Sequence, residues 1–403
     1  MNIKIERLGH LGDGVAAGPV YAARTLPGEL IEGKVEDGRI SKPKIIEPSV
    51  SRRKAPCTHY NSCGGCSLLH ATDDFVADWK RDVVVSALAA KGVTAEIEAL
   101  ETSPEATRRR AVFSGRRLKS GSRVGFHARG SDQVSDVNNC IVVAPEILAK
   151  LDALRDLTTL AATRKSEVSL AVTSSESGLD VDVSTERELD RDSLLKATDL
   201  AEKHDLARLS WQSEVIVTRR PPFEQFGVAH VVPPPGAFLQ ATKHGEAALV
   251  AAVQDAVGAA ARIVDLFAGC GTFSLPLARH AEVLAVEHDQ GMLDALHAGW
   301  RKAQELKSVR VESRDLFRRP LLAEELNAFD AIVLDPPRAG AGNQMSKVAE
   351  SDVGAVASVS CNPVTFARDA ALLVGAGFAL NWVRVIDQFR WSPHVEIAAK
   401  FTR

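Results

Sequence analysis

Ile263-Val-Asp-Leu-Phe-Ala-Gly-Cys-Gly-Thr272 is the stretch on which the fold turns. An apolar run of strand type passes through a turn holding Gly269 and Gly271 into a helical pattern over Thr272 to His280. The two glycines let a ligand come close to the backbone. A second strand, Val283 to Glu287, follows, and Glu287 at its end is placed to accept hydrogen bonds from ribose hydroxyls. The pattern is compatible with NAD, FAD or S-adenosylmethionine. The third glycine of the dinucleotide fingerprint is absent, which favours a nucleoside with a short charged tail over a pyrophosphate.

Downstream the alternation continues. A helical pattern over Gly291 to Leu306 and strand-like runs at Val309 to Glu312, Ala331 to Leu334, Ala355 to Ser360, Phe378 to Ile386 and Val395 to Phe401 predict an α/β fold. The expected architecture is a doubly wound, Rossmann-like parallel sheet. The last two strands have no helix between them, which predicts an antiparallel hairpin at one edge. Asp335-Pro-Pro-Arg338 follows one strand, and its acid and two prolines make a rigid loop at the sheet's carboxyl edge. Another strand stops at Ser360-Cys361-Asn362-Pro363 and presents a thiol there. A free cysteine is ordinarily a buried packing residue. In an α/β sheet, however, ligands bind at the strand carboxyl ends, so Cys361 is also a candidate nucleophile.

Upstream, Val232-Pro-Pro-Pro-Gly236 reads as a linker. Before it lie a strand-turn-strand signal over Val168 to Val183, a helix around Leu194 to His204, and strands at Val215 to Thr218 and Gly227 to Val232. Asp73 to Lys91 reads as an amphipathic helix carrying Trp79 and Lys80. Residues 1 to 47 alternate short strands with glycine turns, as in a small β-barrel. The expected division is a barrel over 1–47, a cysteine segment and central α+β domain over 48–236, and the Rossmann-like domain over 237–403.

Cys57-Thr-His-Tyr-Asn-Ser-Cys63-Gly-Gly-Cys66 places three cysteines within ten residues. They converge naturally on one metal centre, with Cys140 as the nearby cysteine that has no other role. The uneven run with one distant partner favours a [4Fe-4S] cluster over zinc, which more typically uses paired Cys-x-x-Cys knuckles. His59 and His70 are outside candidates. The centre's expected role is to staple distant segments.

The chain of 403 residues is 45% hydrophobic and 25% charged, which is globular composition, and its length asks for two or three domains. It shows neither a signal-peptide core nor a membrane-spanning run, so a cytoplasmic protein is expected, with no membrane partner and nothing pointing beyond a monomer. The net charge of −3 is unevenly spread. Arg108 to Arg129, including Arg109 and Arg110, holds eight basic residues and no acid, and Arg39 to Lys54 holds six against Glu47. Such runs are ordinarily solvated faces, and beside cysteine motifs they also suit phosphate contacts.

Phe238-Leu-Gln240, Asp265-Leu-Phe-Ala-Gly-Cys-Gly, Asp335-Pro-Pro-Arg-Ala-Gly, Ser360-Cys-Asn-Pro and His394-Val-Glu396 resemble, in order, the catalytic motifs of RNA uracil-C5 methyltransferases. The cysteine segment with Cys140 resembles the iron–sulfur signature of the family's 23S ribosomal-RNA branch, and Gly9 to Glu29 resembles its TRAM barrel. The resemblance implies that Gln240, Phe267, Gly269, Thr272, Glu287, Asp315 and Asp335 surround S-adenosylmethionine. It further implies Cys361 as nucleophile, Glu396 as base, and Phe238 as a face for the target uracil; Arg109 and Arg110 of the basic run are expected toward the RNA. The chain departs from the family at Arg390-Trp391-Ser392, within a segment that replaces the usual Phe-Pro-x-Thr run.

The chemistry suits these residues. Uracil C5 is too weak a nucleophile to take a methyl group until a thiolate adds to C6, and a carboxylate must later remove the C5 proton. The base must leave its stack to be reached. A transfer-RNA enzyme of the same chemistry and a non-catalytic ribosome-assembly factor are the other readings, the second disfavoured because a binding module needs neither Cys361 nor Glu396.

Overall fold

The computed structural model describes residues 2–403. Its largest sheet has eight strands, in the order Val309–Ser313, Glu282–Glu287, Arg262–Leu266, Ala331–Leu334, Ala355–Ser360, Glu396–Thr402, Ala379–Asp387 and Ile97–Thr102. The first five are parallel, and Glu396–Thr402 runs antiparallel between Ala355–Ser360 and Ala379–Asp387. Valine, isoleucine and leucine fill the parallel strands because both sheet faces are covered. One face packs on helices Lys243–Val257 and Gln290–Lys302, the other on Gly342–Glu350 and Pro363–Gly375.

Three expectations need correction. The terminal hairpin is not an edge, because Ile97–Thr102 adds in parallel to Ala379–Asp387. The boundary at residue 237 is crossed as well. Helix Asp73–Ala89 buries Val84 and Leu88 in the same apolar core as Phe366 and Leu373 of Pro363–Gly375. Finally, the helix expected over Thr272 to His280 is α-helical only at Ser274–Leu277; Pro276 has no N–H to bond the Thr272 carbonyl, which cuts the helix off on its amino-terminal side.

Residues 110–218 form a seven-stranded sheet covered by helices Leu151–Ala161 and Arg191–Lys203. A separate hairpin, Glu224–Phe226 with Ala229–Val231, lies against helix Gln290–Lys302. Gly299 permits that approach, since a Cβ there would stand 2.6 Å from Val231 Cγ2. Residues 2–47 form a six-stranded sheet around Ile5, Ala22 and Ile31.

Buried polar contacts lock the amino-terminal helix to the loop after Asp387. Lys80, fully buried, donates to Asp387 Oδ1 at 2.5 Å and to the Phe389 carbonyl at 3.2 Å. Arg390-Trp391-Ser392 continues the join. Trp391 is fully buried beside Tyr60 and Leu69, and its indole N–H donates to Asp73 at 2.8 Å. Its carbonyl accepts from Ser67 and Leu68 N–H at 3.0 and 2.9 Å, so the cysteine segment rests directly on this loop.

Removing one member of a buried ion pair leaves the other uncompensated. Lys80→Met is therefore expected to cost about 3–5 kcal/mol in urea unfolding, and Lys80→Met/Asp387→Asn to recover most of it. A single-variant cost below about 1 kcal/mol would show that the pair is not the lock.

Candidate active site

The carboxyl ends of the parallel strands open onto a cavity of about 950 Å³. Phe238, Gln240, Phe267, Gly269, Thr272, Glu287, Asp315, Asp335, Cys361 and Glu396 all line it. Backbone geometry sets one wall of the cavity. Phe267 has φ +65°, a left-handed conformation costly for a bulky residue, and its N–H is held by the Val286 carbonyl at 2.9 Å. Its ring packs on Phe317 at 5.5 Å between centroids. Glu287 accepts from Gly269 N–H at 3.1 Å, which ties the glycine turn to the next strand, and Asp315 accepts from Phe317 N–H at 3.0 Å.

The lining charge selects the ligand. Glu287, Asp289, Asp315, Asp335 and Glu396 face the cavity against Arg314 and Arg338, and Arg314 is itself paired with Glu325 at 2.8 Å. An excess of carboxyls repels a pyrophosphate and suits a ligand carrying positive charge, as the sulfonium and ammonium of S-adenosylmethionine do. The residues present therefore fit that cofactor.

Cys361 follows strand Ala355–Ser360, and Asn362 caps the next helix by accepting from Val364 N–H at 3.0 Å. Asn362 also donates to the Arg338 carbonyl at 2.9 Å, which joins this turn to the Asp335-Pro-Pro-Arg338 loop. Burial, together with the neighbouring Glu396 and Asp335, pushes the Cys361 thiol up to about 11, with the Arg338 guanidinium opposing. Burial alone raises Asp335 to about 7. Glu396, 3% exposed, is pushed well above the usual carboxylate range by burial and by Asp335, with a Gln388 hydrogen bond opposing. Phe238 stands out at the cavity mouth, 59% exposed, with the Arg110 guanidinium 5.6 Å from its ring centroid. An exposed aromatic face beside a cation suits an unstacked base.

Arg109 is not a substrate contact. It is 4% exposed and spends its guanidinium on Glu224 at 2.9 Å, Glu246 at 2.5 Å and the Gln240 carbonyl at 3.1 Å. An arginine buried between two carboxylates holds structure and cannot reach a phosphate. Other members of the basic runs are also paired internally: Arg116 with Glu167, Arg129 with Asp13, and Arg52 with Glu29. Conversely, sequence reasoning passed over Arg338 and Gln388. Arg338 stood in view beside Asp335, whereas nothing local marks Gln388.

Cys57, Cys63, Cys66 and Cys140 come together from two separate segments. Burial raises the Cys63, Cys66 and Cys140 thiols, Cys66 to about 12; Cys57 raises all three further, and Cys140 raises Cys63 and Cys66. Gly64 lets the cysteine turn lie on strand Ser122–His127, its N–H donating to the His127 carbonyl at 2.9 Å. Among the described residues, no group of three or more His, Cys, Asp or Glu side chains is arranged to hold a metal ion. Nor is any described helix long and apolar enough to cross a membrane.

The family model for tRNA (Uracil-5-)-methyltransferase matches residues 235–403. An uncharacterized RNA methyltransferase of Brucella suis biovar 1 is 43% identical over 100% of this chain and 97% of its own length. The 23S rRNA (uracil(1939)-C(5))-methyltransferase of Chromohalobacter salexigens is 33% identical over 100% of this chain and 89% of its own. Among solved structures, Pyrococcus abyssi tRNA (uracil-54, C5)-methyltransferase in complex with S-adenosyl-L-homocysteine shares the fold. It matches with a TM-score of 0.78 at 22% identity, covering 100% of this chain and 99% of its own.

The raised Cys361 thiol has a measurable consequence. In cofactor-free protein, labelling of Cys361 by iodoacetamide is expected to be slow at neutral pH. It should rise about tenfold per pH unit toward a midpoint near the stated value of about 11, read by peptide mass spectrometry. A midpoint below about 8 would mean that the thiolate is already stabilised without cofactor.

Proposed function

The chain belongs to the RNA uracil-C5 methyltransferase family and uses S-adenosylmethionine, and from that premise we propose that it methylates C5 of a uridine in 23S ribosomal RNA through a covalent adduct with Cys361. The observation that carries this reading is that Cys361 and Glu396 share one cavity wall, with Phe238 exposed at the mouth. The 23S assignment draws on the Chromohalobacter relative, aligned over the whole of this chain.

S-adenosylmethionine, when bound, supplies the methyl group. Gln240, Phe267, Gly269, Thr272, Glu287, Asp315 and Asp335 would hold it, with Glu287 toward the ribose and Asp335 toward the reacting end. The chain's own residues do the rest. Phe238 stacks the extruded uracil while Arg110 steadies the ring. The Cys361 thiolate adds to C6, and the electron pair released toward C5 makes that carbon nucleophilic. Once C5 carries the methyl group, Glu396 takes the C5 proton, and the thiolate is eliminated as the C5–C6 double bond re-forms. Because Glu396 and Asp335 neighbour Cys361, ionising it calls for added positive charge, which a sulfonium ligand would bring.

The rest of the chain suits an RNA. A cleft of about 1010 Å³ between the amino-terminal and central sheets is lined by Arg24, Arg39, Lys42 and Arg123, a surface for phosphates. A second groove of about 660 Å³, lined by Leu11, Phe75 and Trp79, reaches Cys361 from the amino-terminal side. Cys57, Cys63, Cys66 and Cys140 would be the ligands of a [4Fe-4S] cluster, which would tie the cysteine turn to the Cys140 segment as a structural link. A TRAM-like barrel, a central RNA-binding region and a catalytic domain that also takes in helix Asp73–Ala89 and strand Ile97–Thr102 belong to the same reading, as do a cytoplasmic site of action and a monomeric enzyme.

The test is transfer of labelled methyl from S-adenosylmethionine to unmodified 23S and transfer RNA by anaerobically purified protein. 5-Methyluridine at a discrete 23S position is expected, abolished by Cys361→Ala. Label only in transfer RNA would overturn the substrate, and methylation surviving Cys361→Ala would overturn the adduct. Metal analysis of the same preparation should give about four irons per chain, falling in Cys63→Ser. One zinc and no iron would overturn the cluster.

A further inference from the structure

The loop leading into Glu396 carries a buried amide that the mechanism above leaves unused. Gln388 follows strand Ala379–Asp387 and is 2% exposed. It lies at the mouth of the hairpin whose strands pair Ile386 with Glu396. Its Oε1 accepts from Ala241 N–H at 2.7 Å, and its Nε2 donates to Gln240 Oε1 at 2.6 Å. The Ala241 bond fixes which end of the amide is oxygen, because a backbone N–H can only donate. Nε2 carries two N–H groups, of which one is spent on Gln240; Gln388 follows Ile386 by two residues, on the same face as Glu396 and diagonal to it, so the second N–H is free to turn toward the Glu396 carboxyl, whose ionised form the amide favours. Gln240 in turn donates from its own Nε2 to Asp335 Oδ2 at 3.3 Å. Packing holds the arrangement in place, since a Cβ on Gly245 would stand 2.7 Å from Gln388 Cβ.

We propose that Gln388 is a positioning residue for the proton-removal step: its amide orients the Glu396 carboxyl toward C5 of the methylated uracil and fixes that carboxyl relative to Gln240 on the cofactor-facing wall. The proposal rests on the assignment of Cys361 as nucleophile and Glu396 as base. In the step concerned, a Glu396 oxygen takes the C5 proton and the C5–H electron pair becomes the C5–C6 double bond. The C6–S bond breaks, and its electrons leave on the Cys361 sulfur. The base must be ionised and aimed when this happens. Of the charged and titratable groups around it, Asp335 and Cys361 disfavour its ionisation, Arg338 lies across the Cys361 turn, and His394 precedes it on the same loop. A neutral amide that only donates toward the carboxyl favours the ionised form without adding charge that would compete for the thiolate. An apolar residue of similar size would fill the same space, yet it would leave Ala241 N–H and Gln240 Oε1 without partners.

Gln388→Leu and Gln388→Glu are to be compared with wild type and Glu396→Gln in the full-length protein, using methyl-labelled S-adenosylmethionine and the methyl-accepting RNA. Glu396→Gln is expected to trap a methyl-labelled protein–RNA adduct on denaturing gels. Gln388→Leu should form that adduct at close to the normal rate and resolve it at least about tenfold more slowly, so the same band accumulates. Gln388→Glu keeps an acceptor for Ala241 N–H but sets a second carboxylate beside Glu396. The acidic limb of its product-release pH profile should therefore move up by about one unit or more. Should Gln388→Leu fail to fold, the Gln388→Glu profile decides alone. Normal adduct lifetime, slower turnover without adduct build-up, or an unshifted Gln388→Glu profile would overturn the proposal. If Glu396→Gln itself traps nothing, the base assignment fails and takes this proposal with it, a failure visible in that variant and separate from any effect at Gln388.

Discussion

The buried Lys80–Asp387 ion pair is the constraint on which the rest of the molecule depends. Neither charge can be left alone in an apolar interior, so helix Asp73–Ala89 and the loop after Asp387 must be in place together. That loop carries Gln388, Phe389, Arg390 and Trp391 and then returns to the sheet at Glu396. One end of it therefore supports the proposed base, while the other carries the cysteine segment through Trp391. The amino-terminal half of the chain is built into the catalytic sheet, and the strand Ile97–Thr102 extends the same join.

Charge is arranged in the cavity with similar economy. Asp335 disfavours the ionisation of Glu396, and both hold the Cys361 proton in place. Within the proposed mechanism this keeps the nucleophile masked until a cationic ligand arrives, which limits side reactions of a partly accessible thiol. The backbone adds its own strain: Phe267 adopts a left-handed conformation at one wall of the cavity, supported by two N–H bonds into the Val286 carbonyl from Phe267 and Ala268.

Much of this was legible in the chain. The alternation of strands and helices after Gly236 announced a parallel sheet, because strands buried on both faces are continuous apolar runs. Cys361, Asp335, Glu287 and the glycine turn could be placed on one edge, since each ends a strand and the carboxyl ends of parallel strands lie together. Arg109 shows the opposite case. In sequence it belongs to an acid-free basic run, and only the fold brings Glu224 and Glu246 to it from more than a hundred residues away.

The sequence by itself determined the local elements, the order of the catalytic motifs and the grouping of three cysteines, because these depend on periodicity and short spacing. Tertiary structure alone decided that Lys80 faces Asp387, that Trp391 underlies the cysteine turn, and that Gln388 bonds Gln240. These pairings hold the loop that leads into Glu396. They are made between side chains far apart in the chain, by the register of the terminal hairpin and the docking of one helix, and no local pattern encodes either.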